Sequence, residues 1–195
     1  LQDAAAQRLL KEPDPGLRAD TLQRLCSALQ EANGDAATRI ARVLARVGAS
    51  ELDSVPKALN CMLAALAEAP SIVASDLASV VLAIAQARKE SKGYQLLLDG
   101  GALPALLRQL PHKAACTKVA EAISLLSESD DGQDGLIKAT ASPQLLAAAL
   151  ELSDDEAAAN AAKALARLAV HADGREQLLQ LSQLAERAAT NERAL

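Results

Sequence analysis

"GYQLLLDGGALPALLRQL" (residues 93–110) and "GQDGLIKATASPQLLAAAL" (residues 132–150) are two copies of one pattern, and that repetition decides the fold. A third, partial copy, "GREQLLQLSQLAERAA", fills residues 174–189. The opening glycines, Gly93, Gly132 and Gly174, lie 39 and then 42 residues apart. In the first two copies a proline follows at an offset of 11, Pro104 and Pro143, and leads into a leucine pair, Leu106-Leu107 and Leu145-Leu146. A period near 40 residues with this content signals stacked helical units, none of which buries its apolar face alone. The repeat speaks to architecture more than to role, because solenoids act through surfaces that differ from one protein to the next.

Outward from these copies the pattern stays helical. The clearest unit has a short helix over 94–99 ending at Gly100-Gly101, a second over 103–110 and a third over about 114–126. Residues 127–132 turn into the next unit, with helices over 133–139, 142–152 and about 155–171. Toward the N-terminus, Asp3 can cap a helix over 4–12, stopped by Pro13-Asp14-Pro15-Gly16. A second helix over 17–32 carries Leu22, Leu25, Cys26 and Leu29 on one face, and a third, capped by Asp35, reaches Val47. Ser54 caps a further helix with Pro56 in its first turn, and Ser71 opens one that runs to about Lys89. The long helices align at Val43, Ala83, Ala122 and Ala164, where a small residue suits a close neighbouring backbone. Four such copies and the C-terminal fragment imply an all-α chain of about four to five repeats. Leu106 and Leu165 are expected in its core.

Composition limits the alternatives. Half of the 195 residues are hydrophobic, but they are Ala, Leu, Val and Ile; there is no Trp or Phe, and Tyr94 is the one aromatic. Ala and Leu suit close helix packing and offer little to a β-sheet. Mean hydropathy is +0.07, yet no stretch approaches the roughly 18 apolar residues of a membrane span. A net charge of −5 argues against sequence-independent nucleic-acid binding. Arg88, Lys89 and Lys92 read as basic residues at a helix C-terminus. Cys26, Cys61 and Cys116 have neither disulfide-framework nor zinc spacing, so buried free thiols in a reducing, cytoplasmic setting are expected. The only methionine is Met62, which suggests that residue 1 lies inside a longer protein.

A short helix, a Gly hinge, a Pro-led helix and a longer helix of the form x-A-L-x-x-L-A resemble the armadillo repeat. The likeness is good over 93–195, divided as 93–131, 132–173 and a partial 174–195. It is looser over 1–92, where degenerate armadillo or two-helix HEAT-like units fit equally. The resemblance implies a right-handed superhelix whose longest helices line a concave groove. In importin-α and β-catenin an Asn on each inner helix clamps an extended peptide. Three residues past the aligned positions, that slot here holds Arg46, Gln86, Leu125 and Arg167. No Asn ladder is present, nor the Trp residues that sandwich lysine stems in importin-α, so nuclear-localisation-signal capture is not expected. The four slot residues are the candidate partner contacts, with Tyr94 a lesser one.

No catalytic set is legible. His112 follows a proline in a loop, His171 sits at a helix end, and no phosphate loop, zinc motif or nucleophile elbow occurs. "SESDDGQDG" (residues 127–135) looks like a calcium loop, but counting from Asp130 the twelfth position is Ala141, where calcium needs a bidentate acid. Residues 127–132 and Asp154-Asp155-Glu156 read instead as turns and helix caps. The expectation is a scaffold or adaptor that is not an enzyme and needs no cofactor, substrate or metal. It would bind other proteins in a larger assembly of the cytoskeletal or ciliary kind. The alternative is a chaperone-type cofactor acting on heat-shock chaperones or myosin.

Overall fold

The structure is a computed structural model that describes residues 11–32, 34–47, 56–87 and 93–192. Among these are eleven α-helices and no strand. The N-terminal half contributes α1 (Pro15–Glu31), α2 (Gly34–Val47), α3 (Pro56–Glu68) and α4 (Ser71–Ala87). The first full repeat is α5 (Gly93–Asp99), α6 (Ala102–Gln109) and α7 (Cys116–Leu126). The second is α8 (Asp130–Lys138), α9 (Ser142–Glu151) and α10 (Asp155–Leu168), followed by α11 (Ala172–Glu192).

Helix starts follow local chemistry. Asp14 accepts hydrogen bonds from the N–H groups of Gly16 and Leu17 and opens α1, with Pro15 in the first turn. Ser129 accepts from Gly132 N to open α8, and Asp154 from Ala157 N to open α10. The calcium-like stretch is therefore a cap followed by Asp130 and Asp131 in a first helical turn, where carboxylates suit the dipole. Helix α1 starts two residues earlier than expected because Asp14 caps it. Asp35 lies inside α2 rather than at its cap. The expected helix over 4–12 falls mostly outside the described residues; Lys11 and Glu12 are not helical.

Two features set the period. A Cβ on Gly132 would sit 1.9 Å from the Leu126 carbonyl oxygen, and one on Gly174 2.1 Å from that of Leu168. Helices α7 and α10 thus end hard against the helix that follows each of them, and only glycine allows the approach. The hinge between first and second helices is left-handed: Gly101 has φ 81° and Thr140, at the same offset, φ 51°. At Thr140 the hinge is a Schellman turn, with Thr140 N donating to Ile137 O and Ala141 N to Leu136 O, each at 3.0 Å. The third copy has Ser182 and Ala185 where the hinge and proline would be, so α11 runs straight through as one 21-residue helix. The partial unit read from the sequence carries no hinge.

Packing makes two layers. Helices α2, α4, α7 and α10 stack in chain order, and α1, α3 and α6 stack beside them, each long helix also packing on its own unit's partner. Short helices α5 and α8 pack together, and α11 docks on α9. The shared core is Leu, Ala and Val with Met62, Ile84, Ile123, Cys26 and Cys116; Leu22, Leu44, Met62, Leu77, Ile84, Leu97 and Leu106 are fully buried. Each such side chain stabilises the stack by roughly 1.5–3 kcal/mol. Leu165 differs from expectation: it is half-buried, at the edge of the core.

Candidate interaction surface

The four slot positions lie on the successive helices of the long-helix layer, 46 on α2, 86 on α4, 125 on α7 and 167 on α10. Ala122 and Ala164 are fully buried and Ala83 half-buried, consistent with the close approach that small side chains permit. Three residues on, Gln86 is exposed and its Nε2 lies 3.4 Å from Glu121 Oε1 on the next helix. Leu125 is half-buried against the core. Arg167 reaches back across the layer to α7: it donates to the Ser124 carbonyl, to the Ser124 hydroxyl at 3.2 Å and to the Ser127 hydroxyl at 2.9 Å. It also pairs with Glu128 at 2.9 Å. The side chains of Arg46 and Tyr94, and residues 88–92, lie outside the described residues.

These contacts belong to a wider set that sews the layer together. Arg42 on α2 pairs with Asp76 on α4 at 3.3 Å, and the Thr117 hydroxyl on α7 donates to Asp154 at 2.9 Å. Single exposed pairs contribute at most about 1 kcal/mol, so the series matters more for register than for stability. The sequence reading missed the acceptors. Ser124 and Ser127 are buried, and the available signal was two serines three apart in the otherwise apolar end of α7, residues 122–127.

The second layer is interrupted between α6 and α9. One unit earlier, Gln109 of α6 is buried and its Nε2 donates to the carbonyls of Leu66, Ala67 and Ala69 at 2.8, 3.3 and 3.2 Å. This caps the C-terminal end of α3 and ties α6 to it. Counted from the prolines, Ala148 holds that position in α9, and Gln144 replaces Ala105 one turn before it. The swap removes the tie and puts a longer side chain where α6 is close-packed. A cleft of about 620 Å³ results, lined by Leu110, Pro111, Cys116, Ala148 and Leu152, with Lys113, Glu151 and Asp154 also on its walls. The volume falls in the range of small-ligand pockets.

The Asp154 carboxyl is held below the ordinary aspartate range, first by the Ala157 N–H and then by the Thr117 hydroxyl. Burial pushes the Cys26 thiol up to about 12, with Cys61 adding to the shift. All three cysteines are free thiols; Cys26 and Cys116 are buried and Cys61 is half-buried. Among the described residues no group of His, Cys, Asp and Glu is arranged to hold a metal ion, and no helix is long and apolar enough to cross a membrane. His112 is exposed and His171 lies between α10 and α11.

No family profile and no curated protein sequence matches this chain. Solved structures do. An engineered protein superposes with a TM-score of 0.66 at 24% identity, over 82% of this chain and 68% of its own. A computationally designed armadillo repeat protein for modular peptide recognition gives 0.65 at 21% identity, over 83% and 69%. A designed armadillo repeat protein in complex with the peptide (KR)4 gives 0.64 at 18% identity, over 93% and 88%. This chain has the armadillo-like repeat fold. Its armadillo-like units are unequal: α5–α7 and α8–α10 carry three helices each, whereas among the described residues α1–α2 and α3–α4 are two-helix units.

Proposed function

We propose that this chain is a non-catalytic protein-interaction scaffold or adaptor working within a larger cytoplasmic assembly, of the cytoskeletal or ciliary kind. The observation that carries this reading is the unbroken α2–α4–α7–α10 layer, which presents one continuous face across four units. Solenoids use such faces as extended binding surfaces. The peptide-recognition and peptide-complex descriptions of the designed structures are in keeping with it. The contacts we assign are the slot positions Arg46, Gln86, Leu125 and Arg167, together with exposed Lys118 and Lys163 on α7 and α10. Of these, Arg167 would have to exchange its α7 partners for a ligand, so Gln86 and the two lysines are the accessible members. The net charge of −5 favours protein partners over nucleic acid.

A chaperone-type cofactor would use an exposed apolar groove. The exposed slot and flanking positions are Gln86, Lys118 and Lys163, whereas the large exposed apolar side chains among the described residues, Leu17, Ile72, Leu150, Val170 and Leu179, are spread singly over α1, α4, α9, the α10–α11 turn and α11. This distribution favours the scaffold. The test is affinity capture with cross-linking mass spectrometry. The scaffold reading expects cross-links from Lys118 and Lys163 to one stoichiometric partner, and weakened capture by a Gln86→Glu, Lys118→Glu double variant. Unchanged capture by that variant, or recovery of heat-shock chaperones with many substoichiometric clients, would overturn it.

A further inference from the structure

The α2–α4–α7–α10 layer ends in two faces whose covering is shown by the layer's own interior. Arg167 of α10 bonds to Ser124 of α7, which marks the side of α7 that faces its successor. In that register Ser124 and Ala120 are buried on α7, as are Ala85 and Val81 on α4, 39 residues earlier. On α10, 42 residues later, the register reads Ala166 and Ala162, and both are exposed. Leu165 is half-buried, whereas its counterparts Ile84 and Ile123 are fully buried. Helix α11 docks on α9, and Ala162 and Ala166 remain exposed with it in place.

The other end is open in the complementary sense. The side of α10 that meets α7 includes Ala157, Ala161 and Ala164, all fully buried. The aligned residues of α2 are Ala36, Ile40 and Val43; Ala36 is exposed and the other two half-buried. One end thus offers small alanines, and the other offers branched side chains with the volume to pack against them.

We propose that a second copy of this chain covers these faces, with α2 of one copy stacking on α10 of the other as α10 stacks on α7. The contact continues an interface that the layer already makes three times. It is head-to-tail, so each copy of a dimer retains one unused face through which further copies can add.

Light scattering on the full chain, with one variant for each face, tests this. Ala166→Arg blocks the α10 face and Ala36→Arg the α2 face; both positions are exposed, and Ala162→Lys serves as a second α10 variant. The wild type is expected to rise with concentration through multiples of 20.2 kDa. Each variant alone should stay monomeric with an unchanged melting curve, and an equimolar mixture of Ala166→Arg and Ala36→Arg should give a 1:1 dimer through the two intact faces. A wild type that remains monomeric throughout its soluble range overturns the proposal and leaves these faces to a different partner. A variant that still dimerises alone, or a mixture that stays monomeric, overturns the head-to-tail geometry and with it the proposal.

Discussion

Gly132→Ala sets a local gain against a collision between repeats. Within a helix, alanine is favoured over glycine by about 1 kcal/mol. At Gly132, however, the new Cβ would lie 1.9 Å from the Leu126 carbonyl oxygen and 2.7 Å from its carbon, and both are backbone atoms that cannot rotate aside. Real Cβ contacts essentially never fall under 3.0 Å, so α8 must retreat from the end of α7 by about 1 Å or tilt, against the cost of overpacking. The retreat also stretches the Ser129 cap, whose hydroxyl accepts Gly132 N at 3.1 Å. Overpacking costs roughly 1–3 kcal/mol and a weakened cap about 1 kcal/mol. Less the helix gain, the net loss is about 2 kcal/mol. Urea unfolding followed by far-UV circular dichroism should show a lower midpoint, and the melting temperature should fall by roughly 4–8 °C. Gly174→Ala, with its 2.1 Å approach to Leu168, should behave alike. A midpoint for Gly132→Ala equal to or above wild type would refute the close-approach account of the repeat glycine.

Other expectations follow from the same geometry. Thr140→Gly should stabilise by about 0.5–1 kcal/mol, since it relieves a left-handed β-branched residue at an exposed site; a loss of stability in thermal melts would contradict this. Leu106→Ala should cost about 2–5 kcal/mol, as a fully buried leucine does, and half-buried Leu165→Ala distinctly less; equal losses would mean that the core edge is misplaced. Asp154 has a folded pKa below its unfolded value, so its stabilisation is complete above the unfolded pKa and is lost as pH falls through the folded one. Asp154→Asn should therefore flatten the acid limb of a melting-temperature profile, and an unaltered limb would remove Asp154 as its source. Buried Cys26, its thiol raised to about 12, should resist a disulfide reagent at neutral pH until the chain unfolds, with half-buried Cys61 reacting first. Native labelling of Cys26 as fast as Cys61 would refute its burial.

Much of the fold was legible because its signals are local. A proline leading α9, an acid or hydroxyl capping α8 and α10, and glycine at the first hinge act within a turn of where they are written. The candidate site was legible only as positions. Aligning the long helices put Gln86, Leu125 and Arg167 in one register, but not that Arg167 would be engaged by Ser124, Ser127 and Glu128 some 40 residues away. The absence of a hinge in α11 was written in Ser182 and Ala185, where glycine and proline were missing, yet a repeat frame carried from the earlier copies hid it.

By itself the sequence determined the period, the helical content, the glycine at each repeat junction and the lack of an Asn ladder, because each depends on what one residue can do to its own backbone or nearest turn. Tertiary structure alone decided that Gln109 closes one inter-repeat gap while Ala148 leaves the next open as a cleft, and that Ala162 and Ala166 stand uncovered with Leu165 only half-buried. Those outcomes depend on which distant carbonyl or helix lies opposite. Repeats of similar sequence meet different neighbours, so burial at the ends of a stack is a property of the assembly rather than of the residue.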